Sequence, residues 1–375
     1  MATISAHKSN PARVFVATDR PDDLEGLLAY IDRNFELVIA ASRSEVLADA
    51  DLRSAVAVVF TEQPSDVDAR DFCRRIDPRW QNRPKVVAAG SRGAAWTSFV
   101  DHQVPIDGMI YLDDPDDQQI GAFGILASLR AEAAIAALGG TAAAIWQQSC
   151  KLINTVEILV ASGQPIPRGA IQSLCAVVVD AADESVLSAM VRVLRDHHSE
   201  TMVHSLDVGL NVLLLGRHVG IRSRSDQFLL FEAGLLHDIG KLKIPPAILR
   251  KPAGLTAGEL AAIRRHPIDG ARILRDSGGY DDSVITAAGD HHEKLDGSGY
   301  PHGLKGSQIS EVGCLTAVCD VYCALTERRS YKSSSAPAEA FQIIEEMAGS
   351  HLDPVLVKRL VEMVHGFAAS QREVG

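Results

Sequence analysis

The sequence has no CxxC pair among its six cysteines, few aromatics (5%), no excess of basic charge and no long apolar run. Each absence removes a class. The spacing of Cys73, Cys150, Cys175, Cys314, Cys319 and Cys323 excludes a disulfide framework and a Cys-rich zinc site, and reads as reduced thiols in a cytoplasmic protein. Lys+Arg 37 against Asp+Glu 48 gives a formal net charge of −11, which argues against a nucleic-acid polymer or an anionic membrane as the main partner. The longest uncharged stretch of the Ala-rich middle, Ala133 to Cys150, contains Gly139-Gly140 and is too short and too weakly apolar to span a bilayer. The opening residues, MATISAHKSNPAR, carry no apolar segment of a secretory signal. There is no repeat at a fixed period and no low-complexity tail.

What is present divides the chain. A length of 375 residues favours two domains over one core. Between about residues 13 and 125, five strand-length apolar runs (RVFVAT, FELVIAAS, AVAVVFTE, PKVVAAGS and DGMIYLDD) are separated by helix-length segments. This pattern predicts a parallel sheet covered on both faces, a flavodoxin-like (βα)5 α/β domain over residues 1–125. That stretch holds thirteen Lys/Arg against twenty Asp/Glu, so most of the acidity sits there. After about 120 the strand signal disappears. A helical connector over 126–195 and an all-α domain over 196–375 are expected.

Of thirteen histidines, nine lie between His197 and His302. The adjacent pair His237-Asp238 ends an apolar helical stretch, AGLLHDIGK. Neighbours on a helix point about 100° apart, so one ion is a poor fit for both and two ions sharing the carboxylate a better one. Further donors are Glu200 and His204 at i,i+4, His266 in RRHP, His291-His292 in DHHEKLDG, and Asp320 in AVCDVY. Each alone has an ordinary reading as a cap, a packing residue or a surface pair. Together they form a set of N and O donors suited to iron, manganese or zinc, and their joint burial would be costly without a cation. His292-Glu293 has no second His at 296, which excludes a HExxH protease.

HDIGK (237–241) followed by HHEKLDGSGYPHGLKG (291–306) resembles the HD-GYP family of HD-superfamily phosphohydrolases. The likeness continues through IPPAILRKPAGLT, RRHPIDGARIL and VCDVYCALTERRSYK, over roughly residues 196–365. It implies a cyclic di-GMP phosphodiesterase, in which metal-activated hydroxide opens the 3′-5′ phosphodiester to give pGpG and, with a third metal, GMP. The implied metal ligands are Glu200, His204, His237, Asp238, His266, His291, His292 and Asp320, holding two or three divalent ions, iron or manganese. Asp238 and Lys241 are the implied catalytic pair, with Lys241 also clamping phosphate. Arg329, Tyr331 and Lys332, with the loop residues Gly299, Tyr300 and Pro301, are the implied substrate contacts. The family's DVYDAL is DVYCAL here, so Cys323 stands where a second carboxylate is usual. Over residues 200–332 acidic and basic residues balance, and metal ions would make that region positive toward a dianionic substrate.

The first domain resembles a response-regulator receiver with its phosphorylation site lost. Phe60 stands at the phosphate-accepting position, the acidic pair after the first strand is reduced to Thr18-Asp19, and Asp114 replaces the usual Lys. A pseudo-receiver acting by homodimerisation, or through a partner such as a diguanylate cyclase, is the expectation. Two alternatives stay open: a cyclic di-GMP effector or scaffold without turnover, favoured by Phe60 and Cys323, and a mixed-valence di-iron oxygenase, which the GYP loop disfavours.

Overall fold

The computed structural model describes residues 13–61, 66–76, 84–90, 108–111, 131–132, 134–196, 201–249, 251, 254–326 and 337–370. The chain forms two compact units, Met1–Ala133 and Ala134–Gly375.

The first unit is built on a five-stranded parallel sheet: β1 (Arg13–Ala17), β2 (Glu36–Ala40), β3 (Ala57–Thr61), β4 (Lys85–Gly90) and β5 (Gly108–Tyr111), in the order β2-β1-β3-β4-β5. Alternation along the strands creates two apolar faces. Val14, Val16, Ala57, Val59, Val87 and Ala89 pack with Leu27 and Ile31 of α1 (Glu25–Asn34). Phe15, Ala17, Val58, Phe60, Val86 and Ala88 pack with Val46 of α2 (Arg43–Ala48) and Phe72 and Cys73 of α3 (Ala69–Arg75). Burial on both faces is why these strands read as nearly continuous apolar runs. Ser42 and Asp68 start α2 and α3 by accepting backbone N–H bonds from Glu45, and from Arg70 and Asp71.

Phe60 is fully buried, edge-on to Phe72 with ring centroids 5.4 Å apart. The Arg43 guanidinium lies 5.3 Å over the Phe60 ring and donates to the carbonyls of Thr61 and Val67, each at 2.6 Å. The position is apolar core roofed by a guanidinium whose donors reach carbonyl oxygens. Thr18 is buried and accepts from the Arg20 N–H, Asp19 is exposed, and Asp114 lies outside the described residues.

The second unit is helical: α4 (Gly140–Ala161), α5 (Arg168–Ala181), α6 (Glu184–Asp196), α7 (Thr201–His218), α8 (Arg224–Leu236), a 3-10 turn (Ile239–Lys243), α9 (Pro246–Leu249), α10 (Ala257–Ile263), α11 (His266–Ser277), α12 (Asp282–Asp290), α13 (Glu311–Thr326), α14 (Pro337–Met347) and α15 (Pro354–Ser370). Among the described residues no helix is long and apolar enough to cross a membrane. The helices over 140–196 share this unit with the residues that follow. Arg168 forks onto the buried Glu232 carboxylate at 3.0 and 3.2 Å and donates to Gly279 O, and Lys243 Nζ donates to Val160 O at 2.9 Å. Burial raises the Glu232 pKa, and the Arg168 charge opposes that rise.

Helices α7 and α8 are buried along most of their lengths, as expected of helices apolar on nearly every side. They cross at two glycines. A Cβ on Gly234 would stand 2.7 Å from the Gly209 Cα, so only glycine permits this approach. His204 lies at the start of α7 and His237 at the end of α8, and the tight crossing brings the two rings together.

Candidate metal centre

Four separate helix ends and one helix middle deliver the site. His204 comes from the first turn of α7, His237-Asp238 from the turn leaving α8, His266 from the first residue of α11, His291-His292 from the turn leaving α12, and Asp320 from the body of α13. The 3-10 turn after Asp238 lies directly on α11. A Cβ on Gly240 would fall 1.9 Å from the His266 carbonyl oxygen and 2.6 Å from the Gly270 nitrogen. The glycine of HDIGK therefore permits the contact that sets Asp238 Oδ1 3.2 Å from His266 Nε2.

Three imidazoles are oriented by the same local device. The Nδ1 of His237, His266 and His291 meets the carbonyl oxygen three residues earlier: Gly234 at 2.7 Å, Ile263 at 2.7 Å and Ala288 at 3.1 Å. A carbonyl only accepts, so each Nδ1 carries the proton and each Nε2 presents a lone pair to the interior. The Nε2 atoms of His266 and His291 then face each other at 3.1 Å, two acceptors with no proton between them. Among the described residues, His237 Nε2 and Asp238 Oδ1 are buried without a hydrogen-bond partner. This arrangement is costly alone and favourable around a cation.

The seven described donors form two groups: Asp238, His266, His291 and His292, and His204, His237 and Asp320. Within each group the ligand atoms lie within 4.8 Å of one another. Asp238 faces both. Its Oδ1 lies toward His266 and His291 (3.2 and 3.7 Å), and its Oδ2 toward His237 and His204 (3.3 and 4.0 Å). Asp320 Oδ1 is 2.9 Å from His204 Nε2 and 3.7 Å from His237 Nε2.

The electrostatics divide the imidazoles: burial favours the neutral form of His291 and His292, whereas the two carboxylates favour the charged form of His237. Burial pushes His292 down to about 2 and lowers His291 as well. At His237 burial also works against the charged form, but Asp238 and Asp320 outweigh it and raise the pKa to about 10. Burial likewise opposes charge on the two carboxylates. Lys241 and His237 nevertheless hold Asp238, and His204 and His237 hold Asp320, well below the ordinary carboxylate range. The two acids thus draw positive charge strongly, and a divalent ion meets that demand while leaving the imidazoles neutral. The donors are nitrogen and oxygen only, a set that fits iron, manganese or zinc.

Lys241 Nζ donates to Asp238 Oδ2 and is partly exposed. Tyr300, in the loop after His292, stacks on the His292 ring with centroids 4.7 Å apart, and its N–H donates to His292 O at 3.2 Å. Gly299 sits so close to Glu293 and Lys294 that a Cβ would overlap their backbone at 2.4–2.5 Å. Pro301 follows through a cis peptide bond. Glu200, Arg329, Tyr331 and Lys332 lie outside the described residues.

Two residues escaped the sequence analysis. Glu293 is buried, and its carboxylate accepts from the backbone N–H groups of His302 (2.6 Å), Gly303 (3.1 Å) and Leu304 (3.0 Å), pinning the loop that carries Tyr300. Its signal was an acid directly after the two histidines and before a Gly/Pro-rich loop. Arg264, whose guanidinium lies 5.3 Å from the centroid of the Tyr300 ring, left no signal beyond its closeness to His266. Cys323 is fully buried against Asn211 Nδ2 (3.4 Å), which also donates to Asp207 Oδ1 at 3.0 Å. The substituted position therefore meets a buried carboxylate from α7, Asp207, one turn after His204.

The chain is 40% identical over 195 residues to a cyclic di-GMP phosphodiesterase of Pseudomonas aeruginosa, covering 50% of this chain and 46% of that one. It is 36% identical over 193 residues to a probable cyclic di-GMP phosphodiesterase of Vibrio cholerae, covering 48% and 44%. A 3′3′-cGAMP-specific phosphodiesterase of the same organism matches at 35% over 175 residues, covering 47% and 38%. The chain thus spans less than half the length of these curated relatives. Residues 191–356 match the HD domain family, and both ligand groups fall wholly inside that match.

Proposed function

We propose that the chain is a metal-dependent cyclic-dinucleotide phosphodiesterase acting on cyclic di-GMP and releasing pGpG. The observation that carries this reading is the pair of adjoining ligand groups with Asp238 turned toward both, built on three histidines whose Nε2 atoms are aimed inward. The relatives' names supply the substrate class. Divalent ions held by His204, His237 and Asp320 and by Asp238, His266, His291 and His292 would polarise a phosphodiester oxygen and lower the pKa of water. Iron or manganese is the reading for these ions, with Glu200 the donor for a third.

The chain's own groups do the rest. The carbonyls of Gly234, Ile263 and Ala288 fix the imidazoles, so no reorganisation is needed when substrate arrives. Lys241 holds the charge of Asp238 and keeps N–H donors for a phosphate oxygen. Gly299, Tyr300 and Pro301 form the rim, and Glu293 keeps that rim in one conformation. Arg329, Tyr331 and Lys332 are proposed as further substrate contacts.

The order β2-β1-β3-β4-β5 supports a flavodoxin-like first domain, and buried Phe60 supports a receiver that takes no phosphoryl group. We read it as a module that works by homodimerisation or through a signalling partner such as a diguanylate cyclase, in a cytoplasmic protein. The test is chromatography of cyclic di-GMP incubated with metal-replete chain and with a His237→Ala/Asp238→Ala variant. pGpG from the first and none from the second is expected; binding without turnover by the intact chain would overturn the reading in favour of an effector.

A further inference from the structure

The Tyr300 ring meets a neutral imidazole and a guanidinium. His292 stacks on it at 4.7 Å with an interplanar angle of 27°, which ties the ring to the metal-ligand cluster. The Arg264 guanidinium lies 5.3 Å from the centroid of the same ring. Arg264 ends α10, two residues before His266, and is exposed. Its neighbour Arg265 is paired with Asp269, as is Arg272, whereas no carboxylate meets the Arg264 guanidinium among the described residues.

A guanidinium that lies over an aromatic ring spends its face, not its edge. Its N–H donors stay in plane, in a rigid fork suited to a planar pair of acceptors. Within a cyclic dinucleotide two groups offer such a pair: phosphate oxygens, and the O6/N7 edge of guanine. The twelve-membered ring keeps both phosphates together, near the metals and Lys241, while the bases project outward from it. Arg264 is exposed and lies against Tyr300, the ring stacked on His292, which suits a base projecting from the dinucleotide ring better than a phosphate held at the ligand cluster.

We propose that Arg264 is a specificity-determining residue that reads the O6/N7 edge of a guanine, with Tyr300 as the platform that orients it. This rests on the reading of the chain as a cyclic di-GMP phosphodiesterase. Adenine offers an N6 donor beside N7 in place of O6, so the same fork meets a donor and binds adenine less well.

The test uses the full metal-loaded chain, Arg264→Ala and Arg264→Lys, with cyclic di-GMP, cyclic di-AMP and bis(p-nitrophenyl) phosphate as substrates. Both variants should raise KM for cyclic di-GMP by about ten-fold while kcat stays within about two-fold, lowering the cyclic di-GMP to cyclic di-AMP ratio of kcat/KM by about ten-fold. The lysine variant keeps the charge and loses the fork, so rescue by lysine overturns the proposal. Unchanged kinetics on cyclic di-GMP, or an equal loss on all three substrates, also overturns it. An intact chain that cleaves bis(p-nitrophenyl) phosphate but not cyclic di-GMP overturns the functional reading itself, and the proposal with it.

Discussion

The two units solve the problem of an interior in opposite ways. In the sheet unit the described core is Val, Ala, Phe, Leu and Ile with Cys73, and its buried cation, Arg43, reaches two carbonyls and the Phe60 ring. In the helical unit the interior holds His204, His237, Asp238, His266, His291 and Asp320, and among the described residues His237 Nε2 and Asp238 Oδ1 are buried without a hydrogen-bond partner. An apolar core stabilises by being closed. The helical unit's interior gathers donors that could hold a cation, and a cation bound there would add to the stability of the unit.

The most direct way to break this comparison is to remove the carboxylate that faces both groups. Asp238→Ala should lose bound metal at both groups and cut hydrolysis by about a thousand-fold, read by metal analysis and product chromatography on one preparation. Metal content close to that of the intact chain would show that the two groups are independent. In the sheet unit, Phe60→Ala should cost about 3–5 kcal/mol in urea unfolding while metal content stays that of the intact chain. A parallel fall in metal would mean that the two interiors are coupled.

Smaller effects sharpen the contrast. Cys323→Asp, which restores the carboxylate usual at that position, should destabilise by about 2–3 kcal/mol, because it is placed beside buried Asp207 and one acid must stay protonated. A raised melting temperature would show that Asp207 is no obstacle. Gly234→Ala should cost about 1–3 kcal/mol and weaken metal binding together, since the added methyl forces α7 from α8. Thermal melts with and without chelator separate the two losses.

The least effect lies at the surface. Glu259 is held down to about 2 by Lys251 and the Thr256 cap, against an ordinary 4.5. A depressed folded-state pKa contributes stability that is complete above about 4.5 and lost as pH falls toward 2. The stability difference between the intact chain and Glu259→Gln should therefore shrink over that window in denaturant titrations. A constant difference would assign the effect to packing.

The sequence alone determined the parallel strands, because burial on both faces leaves near-continuous apolar runs, and it determined which residue types gather, because N and O donors crowd HDIGK and DHHE. It could not divide the seven described donors between two groups, since that depends on where α7, α8, α11, α12 and α13 cross. Nor could it show that Gly234 and Gly240 set those crossings, that Glu293 pins the Tyr300 loop, or that Arg264 lies over that ring. Periodicity reports which way a side chain faces along its own element; the distance between side chains from distant elements is fixed only when backbones pack to contact, and the chemistry of this site is a matter of those distances.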